Sequence, residues 1–161
     1  MQASDLALPL PLVDRHTTAL QAARLVAREQ LTALVITDEH GRPTTVVPAV
    51  DVLGLLIPGF LRDDIRLAQV YDEKAAEELW LDAGRRMLAD LLDDDDIHQT
   101  ALLSIEPDAT IVEVAARMSH AHVQIAVVRP EPEAVPLFVT MPALMDAILT
   151  LCGDGDGRPT A

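Results

Sequence analysis

The sequence holds a single cysteine, Cys152, so no disulfide can form within the chain, which fits a reducing compartment. Aromatic residues are nearly as scarce: Phe60, Tyr71, Trp80 and Phe138 are the whole set. Stacking of bases along a row of rings is therefore excluded as a main binding mode. Basic residues are few, 12 against 26 acidic, giving a formal net charge of −14. Such a chain would be repelled by a nucleic-acid backbone and by an anionic membrane surface. No apolar run approaches the roughly 18 residues that a membrane helix needs. The opening MQASDLALPLPLVD has no basic segment and is broken by Pro9 and Pro11, so it does not read as a signal peptide. There is no Gly-rich phosphate loop, no G-x-S-x-G elbow and no zinc signature. The expectation is a cytoplasmic protein that is not an enzyme, does not bind nucleic acid and does not insert in a membrane.

What the chain does have is a duplication. Half of its 161 residues are hydrophobic, mostly Leu, Val, Ala and Ile. Residues 10–57 and 102–149 superimpose without a gap: Thr18 falls on Thr110, Ala23 on Ala115, Val35 on Val127, Glu39 on Glu131 and Val47 on Val139. Each copy reads as an extended segment, a turn, a helix, a strand, a turn, a second strand and a short helix. A unit of this size with one buried face needs a partner, so two copies are expected to pack together.

The expected elements of the first copy are a helix over 19–30 capped by Thr17 or Thr18, a strand over 31–37, a turn at Asp38-Glu39-His40-Gly41, a strand over 44–47 and a helix from Val50. A single helical turn at Asp5–Leu8 precedes them. In the second copy the helix spans 111–121, the strands 123–129 and 136–140, and the closing helix 142–151, with a stiff turn at Pro130–Glu133. Residues 58–101 have no counterpart in the repeat and read mostly as helix, with Gly84 as a stop. Within them, Asp90-Leu91-Leu92 echoes Asp5-Leu6-Ala7 ahead of the first copy. The fold class is thus mixed α/β, two pseudo-symmetric repeats with a helical insertion. The expected boundaries are 5–57, 58–101, 102–151 and a tail over 152–161 that is disordered by composition.

Several residues invite a functional reading and have a plainer one. His120 and His122 are two apart on a helix and do not face each other, so a metal pair is not expected. Asp93–Asp96 could attract Mg²⁺ or Ca²⁺ but lacks the spacing and glycine of a calcium loop, and reads as a solvated linker. Arg62, Arg66, Arg85 and Arg86 could meet a phosphate tail, but acids abound on their own helices. Asp51 is an acid in the first turn of a helix, where the dipole favours it. Thr18 and Thr110 serve equally as helix caps. Cys152 has no evident base partner.

The two copies carry V-D-R-H-T-T, L-V-I-T-D-E-H-G and T-T-V-V-P-A-V-D-V-L, then I-E-P-D-A-T, I-A-V-V-R and L-F-V-T-M-P-A-L. In order and spacing these resemble a tandem CBS-domain pair, the Bateman module, over about two thirds of the chain. D-E-K-A-A-E-E-L-W in the insertion resembles small stand-alone CBS proteins of actinobacterial type, some of them linked to ion transporters. The resemblance implies a regulatory sensor that needs no cofactor and holds AMP, ADP, ATP or S-adenosylmethionine between repeats. It implies an Asp on the ribose hydroxyls, since a carboxylate can accept from both members of a cis-diol. A Thr and a small Ala would come from the other repeat.

Carried over by position, one cleft combines Asp51 with Thr110, Ala115, Val123 and Gln124. The other combines Thr140 with Thr18, Ala23, Leu31 and Thr32. Both depart from the family pattern: Pro48 stands where Ser or Thr is usual, Ala143 where Asp is usual, and Thr45 and Leu137 replace an opening glycine. The first cleft is therefore preferred. A homodimer is expected, because each repeat has more apolar helix faces than one internal interface uses. The alternatives are a ligand-free structural or partner-docking dimer, and a Mg²⁺-responsive module linked to an ion transporter.

Overall fold

The computed structural model describes residues 1–93, 99–129 and 134–153. Three expectations therefore fall wholly or partly outside the described residues: most of the acidic run Asp93–Asp96, the turn Pro130–Glu133 and the tail beyond Gly153. The chain divides into two compact units. The first is Pro11–Ala101. The second joins Met1–Leu10 to the chain from Leu102 onward.

The first unit is built on a four-stranded sheet in the order β1 (Leu12–Val13), β2 (Ala33–Thr37), β3 (Pro43–Pro48) and β4 (Thr100–Ala101). β1 runs parallel to β2, and the other pairings are antiparallel. The second unit has a three-stranded sheet, β5 (Leu103–Ile105), β6 (Ile125–Val128) and β7 (Leu137–Thr140), with the same senses. The register repeats as well: Leu12 pairs with Val35, and Ser104 pairs with Val127. The central strands β2 and β6 are buried along their whole length, so ALVIT and IAVV read as continuous apolar runs rather than alternations, ended in β2 by Thr37, whose hydroxyl donates to Val13 O.

Each sheet is covered by helices at matching positions. In the first unit these are α2 (Ala19–Glu29) and α3 (Ala49–Leu55); in the second, α7 (Ile111–Ala121) and α8 (Met141–Cys152). Thr18 and Thr110 cap α2 and α7, each hydroxyl accepting from the amide three residues on at 3.3 Å. Both helices end on a left-handed residue, Gln30 (φ 53°) and His122 (φ 52°), whose amide donates to the carbonyl four residues back. His122 is thus accounted for as a helix terminator. The turn after β2 uses Gly41 at φ +75°, as expected.

The chain boundaries differ from the repeat boundaries. Residues 5–10 were expected with the first repeat, yet their backbone bonds run to the second. Ala3 N donates to Ala109 O and Ser4 N to Pro107 O at 2.9 Å, and Leu8 exchanges bonds with Phe138. The helical turn is α1 (Ala3–Leu6), two residues earlier than expected. Its counterpart is α6 (Leu88–Leu92), which follows the insertion and serves the first unit: Leu88 N donates to Thr17 O, and Ala19 N to Arg86 O. Asp5 accepts from Gln2 N at 2.7 Å and Asp90 from Met87 N at 2.9 Å, one cap made twice. Each unit thus has its own short helix, taken from the stretch of chain ahead of the other repeat, and Ala3 and Leu88 within these helices are fully covered.

The insertion between α3 and α6 consists of α4 (Gly59–Asp63), a 3₁₀ stretch Ile65–Val70 and α5 (Glu73–Ala83). Gly84 ends α5 as expected, though not by a left-handed turn. A Cβ there would lie 2.9 Å from Trp80 O and 3.2 Å from Leu20 Cβ, so close approach is what calls for glycine.

Candidate functional site

Three of the five residues of the preferred set come together in the second unit. Ala115, Val123 and Gln124 line a cavity of about 460 Å³ together with Met118, Met141 and Leu144. Ala115 arrives from α7, where a small side chain leaves the space open. Val123 and Gln124 come from the segment entering β6. Gln124 is fixed through its backbone, its carbonyl accepting from Met141 N at 2.9 Å where α8 begins. Its side-chain Oε1 is buried and has no hydrogen-bond partner among the described residues. A buried acceptor left without a donor costs roughly 1–3 kcal/mol, so it marks a place where a donor is wanted. Thr110 belongs to the same unit but is not a lining residue. It is exposed, and its hydroxyl oxygen accepts from Glu113 N.

Asp51 lies in the first unit, in the first turn of α3. Its Oδ2 is likewise buried without a partner among the described residues. The plain helix-dipole reading of Asp51 accounts for its position but not for a shielded, unsatisfied oxygen.

Thr18 is engaged twice, its hydroxyl accepting from Gln21 N and donating to Gln21 Oε1 at 3.2 Å, in a capping box. Thr140 caps α8, accepting from Ala143 N at 3.4 Å. Leu31 packs against the first unit's core. Thr32 is half-buried, and its carbonyl accepts from Ala49 N at 3.0 Å, the counterpart of the Gln124–Met141 bond. Ala23 is half-buried on α2. None of Thr18, Ala23, Leu31, Thr32 and Thr140 carries a buried unsatisfied side-chain atom.

The sequence did not single out the sulfur lining. Met118, Met141 and Met145 all face the 460 Å³ cavity, as do Ser119, His122 and Ile148. Their helical spacing, 118 to 122 across the end of α7 and 141, 144, 145, 148 on α8, was the available signal. No arginine or lysine lines this cavity. A larger groove, about 780 Å³, runs along α2 past Gln21, Arg24 and Arg28 and contains none of the candidate residues. No group of three or more His, Cys, Asp or Glu side chains is placed to hold a metal among the described residues, and no described helix is long and apolar enough to cross a membrane.

No family model and no curated relative matches the sequence. Solved structures do match. A CBS domain-containing protein of unknown function from Kribbella flavida is 27% identical with a TM-score of 0.73, over 92% of this chain and 99% of that one. The CBS domain of a CBS domain-containing membrane protein from Sphaerobacter thermophilus is 19% identical with a TM-score of 0.63, over 91% and 86%. CBSX2 of Arabidopsis thaliana, solved in complex with AMP, is 17% identical with a TM-score of 0.60, over 94% and 98%. The chain has the fold of a tandem CBS-domain pair.

Proposed function

We propose that this tandem CBS-domain pair is a non-catalytic regulatory module that binds an adenine nucleotide or adenosyl ligand. The observation that carries the reading is one buried acceptor in each unit without a partner among the described residues, Asp51 Oδ2 in the first and Gln124 Oε1 in the second. The family resemblance assigns both residues to ligand. Asp51 would accept from the ribose hydroxyls. The cavity lined by Ala115, Val123 and Gln124 would take the base. Gln124 Oε1 needs a donor, and the exocyclic amine of adenine is one, whereas O6 of guanine or hypoxanthine is another acceptor. Thr110 completes the set from the start of α7. That an Arabidopsis protein of this fold binds AMP supports the ligand class.

The protein would act as a homodimer, which the exposed Val50 and Leu53 on α3 and Met145 and Leu149 on α8 support. Ligand would shift the equilibrium between two arrangements by no more than its difference in affinity for them. The regulated protein, an ion transporter or another, would read that shift.

A thermal-shift panel of AMP, ADP, ATP, S-adenosylmethionine, GMP and Mg²⁺ tests the proposal. Stabilisation by an adenine ligand and not by GMP is expected, lost in Asp51→Ala and reduced in Gln124→Leu. Failure of every adenine ligand would overturn it in favour of a ligand-free docking module. Stabilisation by Mg²⁺ alone would favour the cation-responsive reading.

A further inference from the structure

Three of the chain's four aromatic residues stand in the insertion, and all three are exposed: Phe60 at 51%, Tyr71 at 37% and Trp80 at 54%. The apolar spacing of 61–83 predicts buried faces, but of that run only Leu61 and Ala83 are buried. Ala68, Tyr71, Ala75, Ala76, Leu79 and Trp80 border two adjoining grooves of about 610 and 220 Å³ that share Tyr71 and Leu79. Phe60 opens the larger and Trp80 the smaller. Aromatic side chains over apolar grooves are the typical anchors of a protein interface, since they offer large area at low conformational cost. The rim has an acidic excess. Residues 58–86 carry seven Asp or Glu against five Arg or Lys, and Glu78 and Asp82 border the larger groove together with Arg86, whose guanidinium donates to Leu55 O at 3.4 Å. Of the five cations, Arg66 is held by Asp64 at 2.8 Å.

We infer that the insertion is a docking surface for a basic amphipathic segment of a partner protein, its apolar side seated against Phe60, Tyr71 and Trp80 and its Lys or Arg residues meeting Glu78 and Asp82. The charge chooses this occupant over a second copy of the chain. A second copy would bring the same Glu78 and Asp82 to this face, so self-contact here would set carboxylate against carboxylate. The surface belongs to the insertion alone and has no equivalent in the second repeat. It stands whether or not the nucleotide reading does.

Trp80 is the sole tryptophan, so its emission reports directly on the groove. The probe is a synthetic 18-residue helical peptide of Leu and Lys, with a Leu and Glu peptide as its control. The Lys peptide is expected to saturate a blue shift of Trp80, weakening as salt is raised, and the Glu peptide to give none. Glu78→Lys with Asp82→Lys should weaken the Lys peptide about tenfold, as two rim charges would. Tyr71→Ala, at an exposed position that leaves the fold intact, should weaken it too. Reversal of Glu113 and Asp146, which lie on the other unit, should leave it unchanged. The inference is overturned by no shift, or by equal loss from both pairs of reversals, which would mean only long-range charge. A blue shift with rising protein concentration and no peptide would also overturn it, in favour of a second copy.

Discussion

The two units are one scaffold packed in two ways. Position by position the cores correspond: Val13 with Ile105, Ala19 with Ile111, Ala22 with Val114, Leu34 with Ala126, Ile36 with Val128, Val47 with Val139 and Val52 with Leu144. Volume has moved between partners. The first unit puts Leu34 on the central strand and alanines at 19 and 22 on the helix. The second puts Ala126 on the strand and Ile111 and Val114 on the helix. The short helix leading in follows suit, with Leu88 in one and Ala3 in the other. Each unit fills its interior, but neither side chain set fits the other's backbone positions one residue at a time. Duplication preserved the geometry and released the identities. The same freedom acted at the surface, leaving an acid at 51 and an alanine at 143.

The largest effect should come from emptying the first unit's core. Leu34→Ala removes a fully buried side chain and should cost about 2–5 kcal/mol, read as a lower urea midpoint. Next is the exchange that the comparison makes informative. Ala126→Leu installs the residue that the other unit uses, yet should destabilise by about 1–3 kcal/mol, because Ile111 and Val114 already occupy the space. Adding Val114→Ala should restore part of that loss, and a double-mutant cycle measures how much. If Ala126→Leu alone is neutral, the cores are not complementary in the way described. Third, Asp90→Ala and Asp5→Ala each remove the same cap and should each cost about 1 kcal/mol. Unequal costs would show that the two lead-in helices are not equivalent.

The smallest effect is confined to acid. The backbone N–H of Arg42 holds the Asp38 carboxyl below its ordinary value of 3.8, with desolvation opposing it and the His40 amide adding to it. A depressed value means that the ionised form favours the folded state. This contribution is therefore complete above the ordinary value and is lost as pH falls through the lower folded one. Asp38→Asn should be less stable than the parent at neutral pH and converge with it in acid. The equivalent position in the second repeat is Pro130, so only one turn of the pair should titrate in this way.

Much of the fold was legible because a constant offset is a strong signal: Ala23 and Ala115, or Val47 and Val139, fix both copies at once. The helices of the repeats were placed to within a residue or two, since Thr18 and Thr110 announce their starts. The lead-in helices were misassigned because chain connectivity cannot tell which repeat a four-residue helix will bond to. That choice rests on distant carbonyls such as those of Pro107 and Ala109. The exposed face of the insertion was unreadable for a different reason. Apolar residues at helical spacing look the same in sequence whether or not anything covers them. At the site, Gln124 was named for its place beside the strand, but nothing in the sequence could reveal that its amide oxygen lacks a donor.

The claim that one of two homologous surfaces binds ligand is tested most directly by calorimetric titration of AMP. One site per chain is expected, lost in Asp51→Ala, with a second site gained when Ala143→Asp supplies the missing carboxylate beside Thr140. Two sites in the parent chain, or a single site indifferent to Asp51→Ala, would contradict it.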